Sequence, residues 1–318
     1  MPQPRTGVPS ASGDAYRAAR RNATRRRRKR RRVAFALVFA AALATLAGVV
    51  VPLLTTRTTR APSRQASRPT SNLPAKPPRR GPRVGSVPIL MYHVINPPPR
   101  SAPFPGLYVP RSEFAAQMAA LRAAGYDGVT LDQVESNWRN GTALPRGRPI
   151  VISFDNGYRS QYVNALPIIR RLGWHAVENL QLSGLPPSQG GLGAREVRGL
   201  VRAGWELDTQ GFSHADLPTL APAQLWHEIK GARTVIRRRY GVPVHWFCYP
   251  SGRYDARVVA AVKLAGYTGA TTVEPGWAGA SSDPYRLPRI RVLRGTSPAS
   301  LLALITGVRD NPPPPPAF

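Results

Sequence analysis

Between Val87 and about Asp310, short apolar runs of strand length alternate with longer amphipathic stretches. That alternation constrains the fold more than any other feature, because it describes helices packed around a parallel sheet or barrel. "VPILMYHVI" (87–95) opens as a strand. "SEFAAQMAALRAAGY" follows with Phe114, Met118 and Leu121 at helical spacing, Ser112 as N-cap and Gly125 as stop signal. "DGVTL", "PIVISFD", the helix-like "QYVNALPIIRRLGW" and "HAVENLQL" continue the series. "AREVRGLVRAGWELDTQ" reads as helix, glycine, strand, and the pattern repeats as far as "YRLPRIRVL". Roughly seven such units in one domain predict a barrel, with chemically active groups gathered at the strand C-termini.

The stretch "IVISFDNGYRS" (150–160) illustrates the point. A buried strand runs into Asp155 and Asn156 at its end, and Gly157 lets the chain turn sharply.

The rest of the chain is organised differently. Residues 1–86 hold 20 Lys/Arg and one acid, +19 of the total formal charge of +29. Most of the excess therefore lies outside the domain, and nucleic acid is not needed to explain it. "TRRRRKRRR" (24–32) precedes 22 uncharged residues, Val33–Leu54, enough for a membrane-spanning helix. The alanines lie inside this run and Leu53 and Leu54 end it, which favours an uncleaved anchor over a signal peptide. The sequence thus predicts a basic cytoplasmic tail (1–32), a transmembrane signal anchor (33–54) and a disordered Pro/Arg/Ser-rich linker (55–86). An extracytoplasmic domain (87–310) and a Pro-rich disordered tail (311–318) complete the single-pass arrangement. Cys248 is the single cysteine, so no internal disulfide framework exists.

"VPILMYHVI", "SFDNGY", "GWELDTQGFSHADL", "FCYPSGRYD", "GYTGATTVEPG" and "DPYRLPRIRV" together resemble, in order and spacing, the polysaccharide deacetylase family, the NodB-homology carbohydrate esterases. The resemblance covers residues 87–310 and implies an α/β fold, a distorted (β/α) barrel. It also implies metal-assisted removal of acetyl groups from sugars of a cell-wall or exported polysaccharide. A zinc-like divalent metal polarises the acetyl carbonyl and acidifies a bound water, and an aspartate takes the proton.

Carried onto this chain, the base maps to Asp155, and the metal-binding aspartate and two histidines map to Asn156, Gln210 and His214. Two of the three ligands are therefore neutral amides, poor donors for zinc. Asp208, two residues before Gln210 and on the same face of a strand, is a candidate replacement ligand. His93, Tyr158, Tyr249, Pro250 and Trp277 are implied substrate contacts, Trp277 as a ring for sugar stacking. Cys248 stands where the family commonly has an arginine and reads as a packed thiol. Glu178 and Asn179 depart from the usual apolar strand, as either a solvent-exposed edge or a remodelled pocket. Two functions follow: a hydrolase with a weakened or rebuilt metal site, or an inactive homologue that binds glycan or scaffolds an envelope complex.

Overall fold

A computed structural model of the chain describes residues 79–183, 185 and 190–314. The expected cytoplasmic tail, the anchor and most of the linker lie outside these residues. Among the described residues no helix is long and apolar enough to cross a membrane.

The elements are β1 (Ser86–Tyr92), α1 (Arg111–Ala123), β2 (Tyr126–Val129), α2 (Leu131–Asn140), β3 (Arg148–Asn156), α3 (Leu166–Arg171), β4 (Val177–Leu180), α4 (Ala194–Arg202) and β5 (Glu206–Thr209). They continue with α5 (Pro222–Trp226), α6 (Ala232–Tyr240), β6 (Trp246–Cys248), α7 (Ala256–Leu264), β7 (Gly269–Thr271), β8 (Trp277–Gly279), β9 (Ile290–Arg291) and α8 (Pro298–Asp310). The strands form a curled mixed sheet, a half-barrel, in the order β7-β6-β5-β4-β3-β1-β8, with β2 on β3 and β9 on β1. All pairings are parallel except that of β1 with β8. The segment leading into β9 bonds to β7 through Leu287 and Ala270, and β9 then pairs with β1. One stretch of chain thus bridges the two sides of the curl.

Strand alternation divides the core. In β3, Ile150, Ile152 and Phe154 point outward under α1, α3 and α8, in a cluster with Leu90, Tyr92 and Trp205. Phe154 stacks on Trp205 with ring centroids 5.0 Å apart. A second outer cluster joins Leu207, Phe247 and Ala270 to Val197, Ile236 and Val258 of α4, α6 and α7. Inside the curl, Val87, Ile89, Val151, Val177 and Trp246 form an apolar floor that α2 seals with Leu131, Val134 and Trp138. The floor closes the N-terminal ends of the strands, so the cleft opens at their C-terminal ends.

Several expectations need correction. α1 is N-capped by Pro110 without a side-chain bond, not by Ser112, because Arg111 already begins the helix. Phe114, Met118 and Leu121 are fully buried as the spacing predicts. The helix expected over "QYVNALPIIRRLGW" begins with a π-turn at Gln161–Ala165, where Pro167 can supply no backbone N–H. The last residues assigned to the linker are pinned to the domain. Gly81 N donates to Gly141 O (2.9 Å), Ala143 N to Arg79 O (2.8 Å) and Val84 N to the Asn137 side chain (2.8 Å).

Glu178 and Asn179 lie on a central strand, between β3 and β5, and both are buried. Neither forms an exposed edge. Trp277, implied as a sugar-stacking ring, lies not at the cleft but in β8, paired with Pro88 at the floor end of β1, and its Nε1 donates to Ile305 O (2.9 Å).

Candidate functional site

Asp155 lies at the C-terminal end of β3 with 1% of its surface exposed. Four side chains from other strands or the bridging segment converge on it. Asn179 of β4 donates to Oδ1 (2.9 Å), and Gln210, just after β5, donates to Oδ2 (3.4 Å). The Cys248 thiol of β6 reaches Oδ2 at 3.5 Å. Arg289 spans the carboxylate with two parallel bonds, Nη1 to Oδ1 (2.8 Å) and Nη2 to Oδ2 (2.9 Å). Its remaining donors go to Thr272 O (2.7 Å), Ser153 Oγ (3.2 Å) and Cys248 Sγ (3.2 Å).

Burial pushes the Asp155 carboxyl up in pKa, but the Arg289 guanidinium more than offsets this and holds it at about 2. Burial pushes the Cys248 thiol up to about 12, so it packs as an uncharged group, as its sequence context implies.

Sequence reasoning did not single out Arg289. The available signal was "RIR" in an apolar context, since residues i and i+2 of a strand share a face and an arginine buried there needs an acceptor. Gln161 was also missed. Its Nε2 donates to the backbone carbonyls of His93 (2.9 Å) and Asp155 (2.8 Å), holding the ends of β1 and β3 together. Glu228 was the third omission: Oε2 accepts from the N–H groups of Phe212 (2.9 Å) and Ser213 (2.8 Å), and Oε1 from Ser213 Oγ (2.5 Å). That clamp fixes the loop that presents His214.

A cleft of about 640 Å³ stands over this cluster, lined by Asp155, Asn156, Gln210, His214, His93, Tyr158 and Tyr249, with Phe104 among the other lining residues. The structure thus brings together seven of the ten sequence-derived site residues. Pro250 is buried in the turn behind Tyr249 and does not line the cleft, and Trp277 is at the floor end. Asp208 shares the inward face, as its spacing predicts, but lies a layer below the cleft. Its Oδ1 accepts from the backbone N–H groups of His245 (3.0 Å) and Trp246 (2.8 Å).

The three non-glycine residues with positive φ among the described residues, Asn156 (77°), His214 (58°) and Ser251 (52°), all line this cleft. Backbone strain is therefore concentrated at the site. Gly157 follows Asn156 with φ 89°, and a Cβ there would come within 2.5 Å of Leu180 Cδ1. Desolvation lowers the pKa of His93 to about 4 and also lowers that of His214, so both imidazoles are poor proton acceptors.

The donor set does not fit a zinc-like ion. Asn156 Nδ2 donates to Gln181 Oε1 (3.1 Å), Gln210 turns its nitrogen to Asp155, and both Asp155 oxygens are taken by Arg289. His214 alone offers a preferred zinc donor among the three family ligand positions. Asp208, bonded to the β6 backbone beneath the cleft, does not replace the missing charge.

The domain is thus a curled α/β sheet with a polar cleft at the strand C-termini, built on a buried aspartate and a loop histidine. The sequence profile of the polysaccharide deacetylase family matches residues 144–270. Those residues carry a polysaccharide deacetylase family domain. The chain is 27% identical over 223 residues to YxkH of Bacillus subtilis (strain 168), covering 70% of this chain and 77% of that one. It is 38% identical over 66 residues to the poly-beta-1,6-N-acetyl-D-glucosamine N-deacetylase of Escherichia coli (strain K12), covering 21% of this chain and 10% of that protein. Among solved structures, the Streptococcus pyogenes deacetylase PplD, in complex with acetate, superposes with a TM-score of 0.63 at 25% identity. The match covers 69% of this chain and 98% of that one.

Proposed function

We propose that this protein is a membrane-tethered, extracytoplasmic member of the family that binds N-acetylated cell-wall or exported polysaccharide without metal-assisted deacetylation. The observation that carries this reading is the bonding of Asn156 and Gln210. Both amide nitrogens point into bonds with neighbouring side chains, where a deacetylase would present charged or imidazole ligands. Gln210 also keeps a buried carbonyl oxygen, Oε1, without a hydrogen-bond partner. A buried acceptor of that kind costs free energy unless a ligand donor reaches it, and the N–H of an acetamido group supplies one. The aromatic rings of Tyr158 and Tyr249 supply apolar surface beside it.

The test is calorimetry with N-acetylglucosamine oligomers in the presence of a chelator, alongside acetate release with added zinc. Binding that persists in chelator with no acetate release is the expected result. Acetate release that the chelator abolishes would overturn the reading and return the chain to the hydrolases.

A further inference from the structure

α3, α4 and α6 each connect one parallel strand to the next, so they run back from the cleft end to the floor end and their C-termini share one face. On the side formed by α3, α4 and α6 that face is strongly basic. Arg170 and Arg171 end α3, Arg202 ends α4, and Arg237, Arg238 and Arg239 occupy the last turn of α6. All six are exposed, and none forms an ion pair among the described residues.

A basic residue near a helix C-terminus is favourable by itself through the helix dipole. That effect does not account for three consecutive arginines, nor for Leu264, the last residue of α7, which leaves 78% of an apolar side chain exposed at the same end. α7 ends beside the start of α6, because Lys230, in the turn before α6, and Arg233, in its first turn, both donate to Ala265 O (3.1 and 3.0 Å). Of the acids at this end, Asp132 is bonded to His245 and Trp246 and Glu206 accepts from the Asp132 N–H, and neither forms an ion pair with these arginines. Arg237 and Arg238 also line a shallow groove with Gly241 and Pro243.

The segment Arg79–Ser86 enters the domain at this floor end, bonded to the end of α2. Before it in the sequence lies the uncharged run Val33–Leu54. We propose that the floor end of the domain docks on an anionic lipid surface, with the arginines on phosphate head groups, Leu264 at the interface and the cleft facing away. Guanidinium groups pair bidentately with phosphate, and an exposed apolar residue beside them distinguishes a lipid interface from a dissolved polyanion. The inference rests on the membrane-tether part of the proposed function.

The test uses the full chain with phosphatidylcholine or phosphatidylglycerol vesicles that carry a lipid-borne quencher. Fluorophores are attached at Lys263→Cys, on the floor end, or at Phe104→Cys, on the cleft rim; the native Cys248 is buried. Retention on phosphatidylcholine reports the tether alone. Docking predicts quenching at position 263 with phosphatidylglycerol only, no quenching at 104, and loss with high salt. The variant Arg237→Gln/Arg238→Gln/Arg239→Gln should lower the docked population by about tenfold or more. If the tether reading fails, the chain will not stay on phosphatidylcholine, and salt-sensitive flotation with phosphatidylglycerol then reads docking by itself. Equal quenching at 263 on both lipids, quenching at 104, an unchanged triple variant, or no flotation with phosphatidylglycerol in the untethered case would each overturn the proposal.

Discussion

Arg289 and Asp155 are 134 residues apart in sequence and share two hydrogen bonds, of 2.8 and 2.9 Å, with each side chain only 1% exposed. Arg289 belongs to the segment that bridges the two sides of the curl, so the pair joins the bridge to the central strand β3.

Removing one member of a buried pair strands the other charge. Arg289→Gln should therefore lose about 3–5 kcal/mol of stability at pH 7, read by chemical denaturation. The native Asp155 carboxyl is held at about 2, below its unfolded value, so its contribution is present above the unfolded pKa near 4 and fades as pH falls toward 2. The variant should show less of this acid-side loss. Unchanged stability at pH 7 would remove the pair from any structural role.

Glu178 carries the opposite sign. Both of its carboxylate oxygens are buried without hydrogen-bond partners, and desolvation raises its pKa well above the ordinary value. The unfolded chain gives up this proton above about pH 4.5 while the folded chain retains it, so native stability falls as pH rises through that region. Glu178→Met should stabilise the protein by about 1–3 kcal/mol at pH 7 and flatten that part of the profile. A destabilised variant would mean that the carboxyl has a function in the fold.

His93 adds a third window. Desolvation lowers its pKa to about 4, against about 6.5 unfolded. Stability should consequently decline by up to about 3 kcal/mol as pH drops from 6.5 to 4. Denaturation of His93→Gln over the same range should show a shallower slope; parallel curves would contradict the assignment.

Restoring the family ligands tests the amides directly. Asn156→Asp with Gln210→His supplies a carboxylate and a second imidazole beside His214. Asp tolerates the left-handed backbone at position 156 nearly as well as Asn. The double variant should retain zinc through dialysis while the natural protein does not, as elemental analysis would show. A charge pair worth about 4 kcal/mol at an effective dielectric near 20 sets the loose scale, and half of that already exceeds a tenfold change in occupancy. Equal metal content in the two proteins would show that the cleft geometry, and not the donor chemistry, decides metal binding.

The contrast between what sequence does and does not disclose is sharpest at the site. The parallel α/β plan and the grouping of Asp155, His93 and His214 were legible, because strand ends in such a fold collect on one face. The partners of Asp155 were not, since pairing across 134 residues leaves no local period to read. Asn179 looked misplaced for the same reason: its polar side chain suits a buried strand only once Asp155 is known to lie beside it in register. Trp277 failed differently. An aromatic ring after a glycine is compatible with both a loop and a short strand, and only the antiparallel pairing with Pro88 places it at the floor.

The bridge residue Arg289 changes what an aspartate at position 155 can be taken to mean. Here the ion pair fastens the seam, which gives the acid a closing role independent of any proton taken from water. Its presence alone therefore does not tell a hydrolase from a binding protein in this chain. Asn156 and Gln210 do not bond Arg289, so changes at these two positions alter the cleft while leaving the seam fastened.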